Sequence, residues 1–258
     1  MPSPKRKSEA GTDNEAKKQR TTTATATMTA PTPDSHIDPE LAIKYWSSTE
    51  ASVNGVLGGF PQVSRIDLQG SSNFLAKLRK QSPHTHLQPK QGKLKSAVDC
   101  GAGIGRITEG LLSSIAETVD VVEPVQAFTD VIKGKAGVGE IYNVGLENWF
   151  PAREGLGPYD LIWNQWCVGQ LTDAQLVAYL ARLPAVLSQG GWIVVKENLS
   201  NNHDGQDVYD ETDSSVTRTD DKFRRLFGEA GLRVVSTEVQ RGMPKDLYPV
   251  RAYALQPK

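Results

Sequence analysis

Cysteine is scarce in this chain. Only Cys100 and Cys167 occur among 258 residues, and neither belongs to a CxxC pair or a Cys/His cluster. A disulfide framework and a structural zinc site are thereby excluded, and reduced thiols in an intracellular setting are expected. His84 and His86, in "SPHTHLQPKQG", have no third ligand nearby and are read as solvated surface residues. Long apolar runs are also missing. No stretch of about 18 hydrophobic residues is present to cross a bilayer, so no membrane partner is expected. The start of the chain carries no apolar signal region. Charge of one sign is not in excess either: 29 Lys and Arg against 30 Asp and Glu give a net charge of −1. That balance argues against a surface built for a polyanion, and direct contact with nucleic acid is not expected.

What is present divides into a tail and one domain. Residues 1–36 are rich in Thr, Ala, Pro and charge, and a segment of that composition buries too little apolar surface to order itself. Two basic clusters, Lys5-Arg6-Lys7 and Lys17-Lys18 with Arg20, have the spacing of a bipartite nuclear import signal, so a nuclear as well as a cytoplasmic location is open. Residues 37–258 read as the globular domain, with 37–80 a helical extension. "DPELAIKYWSS" opens with an Asp-Pro helix start, and "SSNFLAKLRK" (71–80) repeats the signal with serine caps. After Lys95, strand candidates (97–99, 118–122, 140–144, 160–163 and 192–197) alternate with helical stretches at about 105–115, 126–135 and 172–187, the last expected to close at Gly190-Gly191. Such alternation requires a parallel sheet with helices on both faces. A helix at 220–230 and the alternating "LRVVSTEVQ" and "YPVRAYAL" add an antiparallel hairpin at the sheet edge.

Chemistry concentrates where the first strand meets its helix, in "AVDCGAGIGRITEGLL". A dinucleotide fingerprint needs a third glycine where Arg106 stands, which weakens a pyrophosphate reading. The spacing D-x-G-x-G-x-G, with Glu123 closing the second strand, suits S-adenosylmethionine. Gly101 and Gly103 let the backbone approach the cofactor, Glu123 can accept from both ribose hydroxyls, and Arg106 can pair with the methionyl carboxylate. Leu146 and Glu147, after the third strand, are candidates for the adenine ring and its amino group. "LIWNQWCVGQL" brings Gln165 and Trp166 past the fourth strand, where they can shape a site for an amine. "DVYDETDSSVTR", after the fifth strand, groups Asp207, Asp210, Glu211 and Asp213 into an acidic loop suited to a cation. On these residues alone, a small-molecule N-methyltransferase and a catalytically weakened peptide-binding protein both remain open.

"VDCGAGIGRIT", "IWNQWCVGQLTD", "IVVKENL" and "DETDSSVTR", with "YWSS" and "VNGVLGGF" before them, closely resemble the protein α-N-terminal methyltransferases over about residues 41–255. The resemblance implies a seven-stranded class I methyltransferase sheet, Rossmann-like and α/β, with an antiparallel C-terminal hairpin and an N-terminal helical lid. It implies methylation of the α-amine of proteins beginning X-Pro-Lys or X-Pro-Arg, ribosomal proteins among them, with S-adenosylmethionine as cofactor. Carried over by position, Gly101, Gly103, Arg106, Glu123, Pro124, Val125, Leu146, Glu147 and Gln165 resemble cofactor contacts. Tyr45, Trp46, Leu57 and Trp166 resemble the substrate channel. Asn198 would hold the amine end of the peptide, Asp213 would be the base, and Asp210 with Ser215 would receive the basic third residue. Gln170 stands where the family commonly has a histidine and cannot exchange a proton near neutral pH. Glu123 replaces the aspartate of an Asp-led triplet, and Glu147 an amide.

Overall fold

The structure is a computed structural model and describes residues 31–151 and 157–258. The two basic clusters of the tail lie outside the described residues. Within the segment expected to be a tail, Pro33–His36 form a 3-10 turn. Asp34 Oδ2 there accepts from the backbone of Asp173 at 3.0 Å.

Helix α1 (Pro39–Ser48) starts where its sequence says it should: the Asp38 carboxylate accepts from the amides of Glu40 and Leu41, and Pro39 supplies no amide to leave unbonded. A short α2 (Val53–Val56) leads to α3 (Val63–Gln81). The second extension helix therefore begins eight residues before the serines expected to cap it. Ser71 does not cap; its buried hydroxyl receives Lys196 Nζ at 2.8 Å. Tertiary contact along Val63, Asp67, Ser71, Phe74 and Leu78 carries the helix through Gly70.

Five parallel strands follow: β1 (Leu94–Cys100), β2 (Ala116–Val122), β3 (Val138–Tyr142), β4 (Tyr159–Gln165) and β5 (Leu187–Asn198). Between β1 and β2 the chain makes a π-helical stretch, Thr108–Leu112, running into α4 (Ser113–Ile115). Helix α5 (Gln126–Thr129) is shorter than the expected 126–135 and continues as turns. Helix α6 (Asp173–Arg182) carries a full capping box between Thr172 and Gln175. It does not run on to Gly190-Gly191. Leu187 already pairs with Tyr159, and the glycines lie in an irregular stretch of β5 between that pair and Leu161↔Trp192.

The acidic loop is itself folded. Strands β6 (Val208–Asp210) and β7 (Ser215–Thr217) form an antiparallel hairpin with Asp210 opposite Ser215. Helix α7 (Asp220–Glu229) ends at Gly231, and β8 (Leu232–Val239) and β9 (Val250–Pro257) complete the sheet. The strand order is β3-β2-β1-β4-β5-β9-β8, with β9 antiparallel to both its neighbours.

The sheet is covered on both faces, as the near-continuous apolar strands require. Ile162 and Ile193 face Tyr179 and Leu180 of α6 and Phe223 and Phe227 of α7. Leu161, Trp163 and Val194 face Phe74 and Leu78 of α3 and Leu111 of the π stretch. Among the described residues, no helix is long and apolar enough to cross a membrane. The order of strands reverses between β1 and β4, and a crevice opens there at their carboxyl ends.

Candidate active site at the carboxyl edge of the sheet

Leaving β1, the chain turns over the end of β2: the amides of Gly101 and Ala102 both donate to Val122 O, at 2.7 and 3.2 Å. Gly101, Gly103 and Gly105 have φ of +65°, +55° and +77°, a region L side chains rarely enter. At Gly101 space is lacking as well, because an added Cβ would stand 2.3 Å from Cys167 Cβ. The loop is therefore fixed by its neighbours across the crevice.

Glu123 ties this loop to the next. Its Oε2 accepts from Gly103 N at 2.8 Å and its Oε1 from Val125 N at 2.9 Å. A carboxylate has about four lone-pair sites, so after two amide bonds it retains capacity for a pair of vicinal hydroxyls. A cavity of about 90 Å³ opens beside it, and its walls include Gly101, Glu123, Val125, Leu146, Glu147 and Gln170. Pro124 and Leu171 also line it, and Trp46 with Ala42 of α1 narrows it. The residues expected for the ribose and adenine are thus gathered around one space. Glu147 accepts from Asn148 Nδ2 at 3.0 Å.

Arg106 is buried, with its guanidinium 5.3 Å over the Trp166 ring and Nη1 donating to Asp67 Oδ2 at 2.7 Å. Its Nε and Nη2 are buried and have no partner. Those two donors form one edge of the guanidinium, the edge that grips a carboxylate in bidentate fashion. A buried unpaired donor costs roughly 1–3 kcal/mol, so the arrangement calls for an anionic, planar acceptor, and the amino-acid end of S-adenosylmethionine fits it. Gln165, expected at the cofactor, is engaged with protein partners at both ends of its amide. Its Nε2 is bonded to both oxygens of Asp67, at 2.9 and 2.8 Å, and its Oε1 accepts from Trp163 Nε1 at 3.1 Å. Both ends of the amide have partners inside the protein, and through Asp67 it buttresses Arg106.

Trp46, Leu57 and Trp166, far apart in sequence, share an apolar cluster with Val56, Ile104 and Leu247, and Tyr45 packs against it. Tyr45 and Trp46 meet edge to face at 4.9 Å. Trp166 holds φ of +52°, a costly conformation for a bulky residue. It is fixed by its backbone N–H, which donates to Lys196 O at 3.0 Å, and by Glu197 Oε1, which accepts from the next two amides, Cys167 at 2.7 Å and Val168 at 3.0 Å.

The following turn joins cavity to hairpin. Gln170, with its amide oriented to satisfy both groups, donates to the carbonyls of Asp213 and Ser214 at 3.1 Å each. Gly169 packs so closely on β7 that an added Cβ would lie 3.1 Å from Val216 O. Asp213 is buried and accepts from Ser215 Oγ at 2.8 Å. Asp210 caps its own turn by accepting from Thr212 N at 2.9 Å. Ser214, φ +52°, receives the amide of Asp38 at 2.7 Å, which docks the start of α1 on the hairpin. Asn198 ends β5 on the same side, buried, opposite Val250. The expected substrate residues Asp210, Asp213, Ser215 and Gln170 therefore form one unit.

Among the buried charged residues to which the sequence pattern gives no role of their own are Asp99, Glu197, Asp67 and Lys196. Burial pushes the carboxyls of Asp99 and Glu197 up to about 7, against the hydrogen bonds each accepts. Asp67 and Lys196 form an ion pair at 2.6 Å. Asp67 was visible in one respect: it is an acid on the apolar stripe of α3, where only a partnered charge is tolerated.

Residues 34–256 match the family described as AdoMet dependent proline di-methyltransferase. The chain is 42% identical to alpha N-terminal protein methyltransferase 1 of Schizosaccharomyces pombe over 231 residues, covering 86% of this chain and 99% of the relative. It is 38% identical to N-terminal Xaa-Pro-Lys N-methyltransferase 1 of Xenopus tropicalis over 222 residues, covering 83% and 93%. A solved SAM-dependent methyltransferase from Leishmania major superposes with a TM-score of 0.74 at 37% identity, covering 85% of each chain.

Proposed function

The chain belongs to the AdoMet-dependent proline di-methyltransferase family, and from that premise we infer that it methylates the α-amino nitrogen of protein N termini that read Xaa-Pro-Lys or Xaa-Pro-Arg. The observation that carries the reading is the turn at 168–171. One side of it, Gln170 and Leu171, walls the cavity beside the glycine loop, and the other rests on the hairpin that bears Asp210 and Asp213. Cofactor and acceptor sites are one turn of chain apart.

S-adenosylmethionine, when bound, supplies an electrophilic methyl group. Arg106 would hold its carboxylate, Glu123 its ribose hydroxyls, and Leu146 with Val125 the flanks of its adenine. The protein's own task is to deliver a neutral amine in line. A peptide α-amine has a pKa near 8, so only about a tenth is neutral at pH 7. Asp213 accepts the proton, directly or through water, and Asn198 fixes the nitrogen. Trp166 packs on the second-position proline, held rigid by its locked backbone. Asp210 and Ser215 receive the third-position Lys or Arg, where a buried carboxylate left unpaired would be costly. With Gln170 in place of a titrating group, base catalysis falls on Asp213 alone. Ribosomal proteins with such termini are the acceptors we assign, and the basic clusters of the tail give access to the nucleus as well as the cytoplasm.

The test is transfer of labelled methyl from S-adenosylmethionine to an Xaa-Pro-Lys hexapeptide and to its N-acetylated form, read by mass. Label is expected on the free peptide only. Equal labelling of the acetylated peptide would place the acceptor on a side chain and overturn the assignment.

A further inference from the structure

Arg106 stands just after the glycine loop, yet the residue that orients it comes from the N-terminal extension. Asp67, on α3, is fully buried. Its Oδ2 accepts from Arg106 Nη1 at 2.7 Å and its Oδ1 from Lys196 Nζ at 2.6 Å, while Gln165 Nε2 spans both oxygens. Lys196 reaches on to Ser71 Oγ at 2.8 Å and Gln240 Oε1 at 2.9 Å. Burial by itself would raise the Asp67 carboxyl; the two cations outweigh that and hold it below its usual range. Burial lowers Lys196, and Asp67 opposes the shift. Charges so deep cost several kcal/mol each unless well partnered, and hydrophobic packing would often serve stability as well. Their placement therefore asks for a role other than stability.

The geometry of the guanidinium supplies one. A single nitrogen, Nη1, is tied to Asp67, and the ring of Trp166 lies against the guanidinium, 5.3 Å from its carbon to the ring centroid. The opposite edge, Nε and Nη2, is left with both donors open. Without Asp67, Nη1 would lose its anchor and the guanidinium its fixed rotation. We propose that Asp67 is a positioning residue for cofactor recognition, holding Arg106 so that its Nε/Nη2 edge receives the carboxylate of S-adenosylmethionine. The N-terminal extension thus reads the amino-acid end of the cofactor, while the glycine loop and Glu123 read the nucleoside. This rests on the S-adenosylmethionine reading of the site.

Two nucleosides separate the roles by calorimetry: S-adenosylhomocysteine, which carries the carboxylate, and 5′-methylthioadenosine, which lacks the whole amino-acid end. Asp67→Asn is expected to weaken S-adenosylhomocysteine binding by about tenfold or more while leaving methylthioadenosine within about twofold, which also shows that the pocket is folded. The double variant Asp67→Asn with Lys196→Met also removes one of the two cations that Asp67 balances, leaving Arg106. It is expected to recover melting temperature without recovering S-adenosylhomocysteine affinity. Equal weakening of both nucleosides, no weakening of either, or full recovery in the double variant would overturn the proposal, the last because charge balance alone would then suffice. If the wild type binds neither nucleoside, the cofactor reading fails instead.

Discussion

Replacing Glu197 by Gln should change how stability depends on pH, by an amount set by the burial of that carboxyl. Glu197 Oε1 accepts the amides of Cys167 and Val168, and Arg218 is the cation that acts on it. Burial nevertheless dominates and raises its pKa from 4.5 to about 7. Between those values the folded protein keeps the proton and the unfolded chain has lost it, so the wild type loses stability as pH rises from about 4.5 to about 7 and does not regain it above. At about 1.4 kcal/mol per pKa unit, the loss attributable to this group is about 3 kcal/mol. Glutamine keeps an oxygen for both amides and does not titrate. The difference in unfolding free energy between variant and wild type should therefore grow in the variant's favour by about 2.5 kcal/mol from pH 5 to pH 8, the rest having been lost below pH 5. Asp99 titrates in the same range but is common to both proteins and cancels in the difference. Urea unfolding followed by circular dichroism at pH 5, 6, 7 and 8 measures it, as a relative midpoint shift of about 1 M. A difference that stays constant across this range would refute the argument.

Two further substitutions address the site directly. Asp213→Asn keeps an oxygen for Ser215 but removes the proton acceptor; turnover should fall about 100-fold or more, with S-adenosylhomocysteine affinity within about twofold, and unchanged turnover would take the base role from Asp213. Gly101→Ala combines a φ of +65° with a Cβ placed 2.3 Å from Cys167 Cβ. A loss of about 2–4 kcal/mol and a melting temperature lower by about 5–12 °C are expected, partly relieved by Cys167→Gly; an unchanged melting temperature would show that the loop yields.

By itself the sequence determined whatever depends on neighbours along the chain. Apolar runs alternating with helical patterns specified a parallel sheet, and Asp-Pro marked the start of α1. Three glycines with an acid about 20 residues on marked the cofactor loop, because backbone conformation at φ above zero is a local demand that only glycine meets cheaply. The acidic run read as a loop because β6 and β7 are three residues each, too short to show alternation. The span of α3 was misjudged because Gly70 interrupts its local propensity while packing sustains it. Tertiary structure alone decided which buried charges meet. Asp67 finds Gln165 across 98 residues and Lys196 across 129, and nothing in the pattern around any of them specifies the others. Whether a buried acid is a base, a strut or a ligand depends on what the fold brings to its second oxygen, and that is settled by long-range packing.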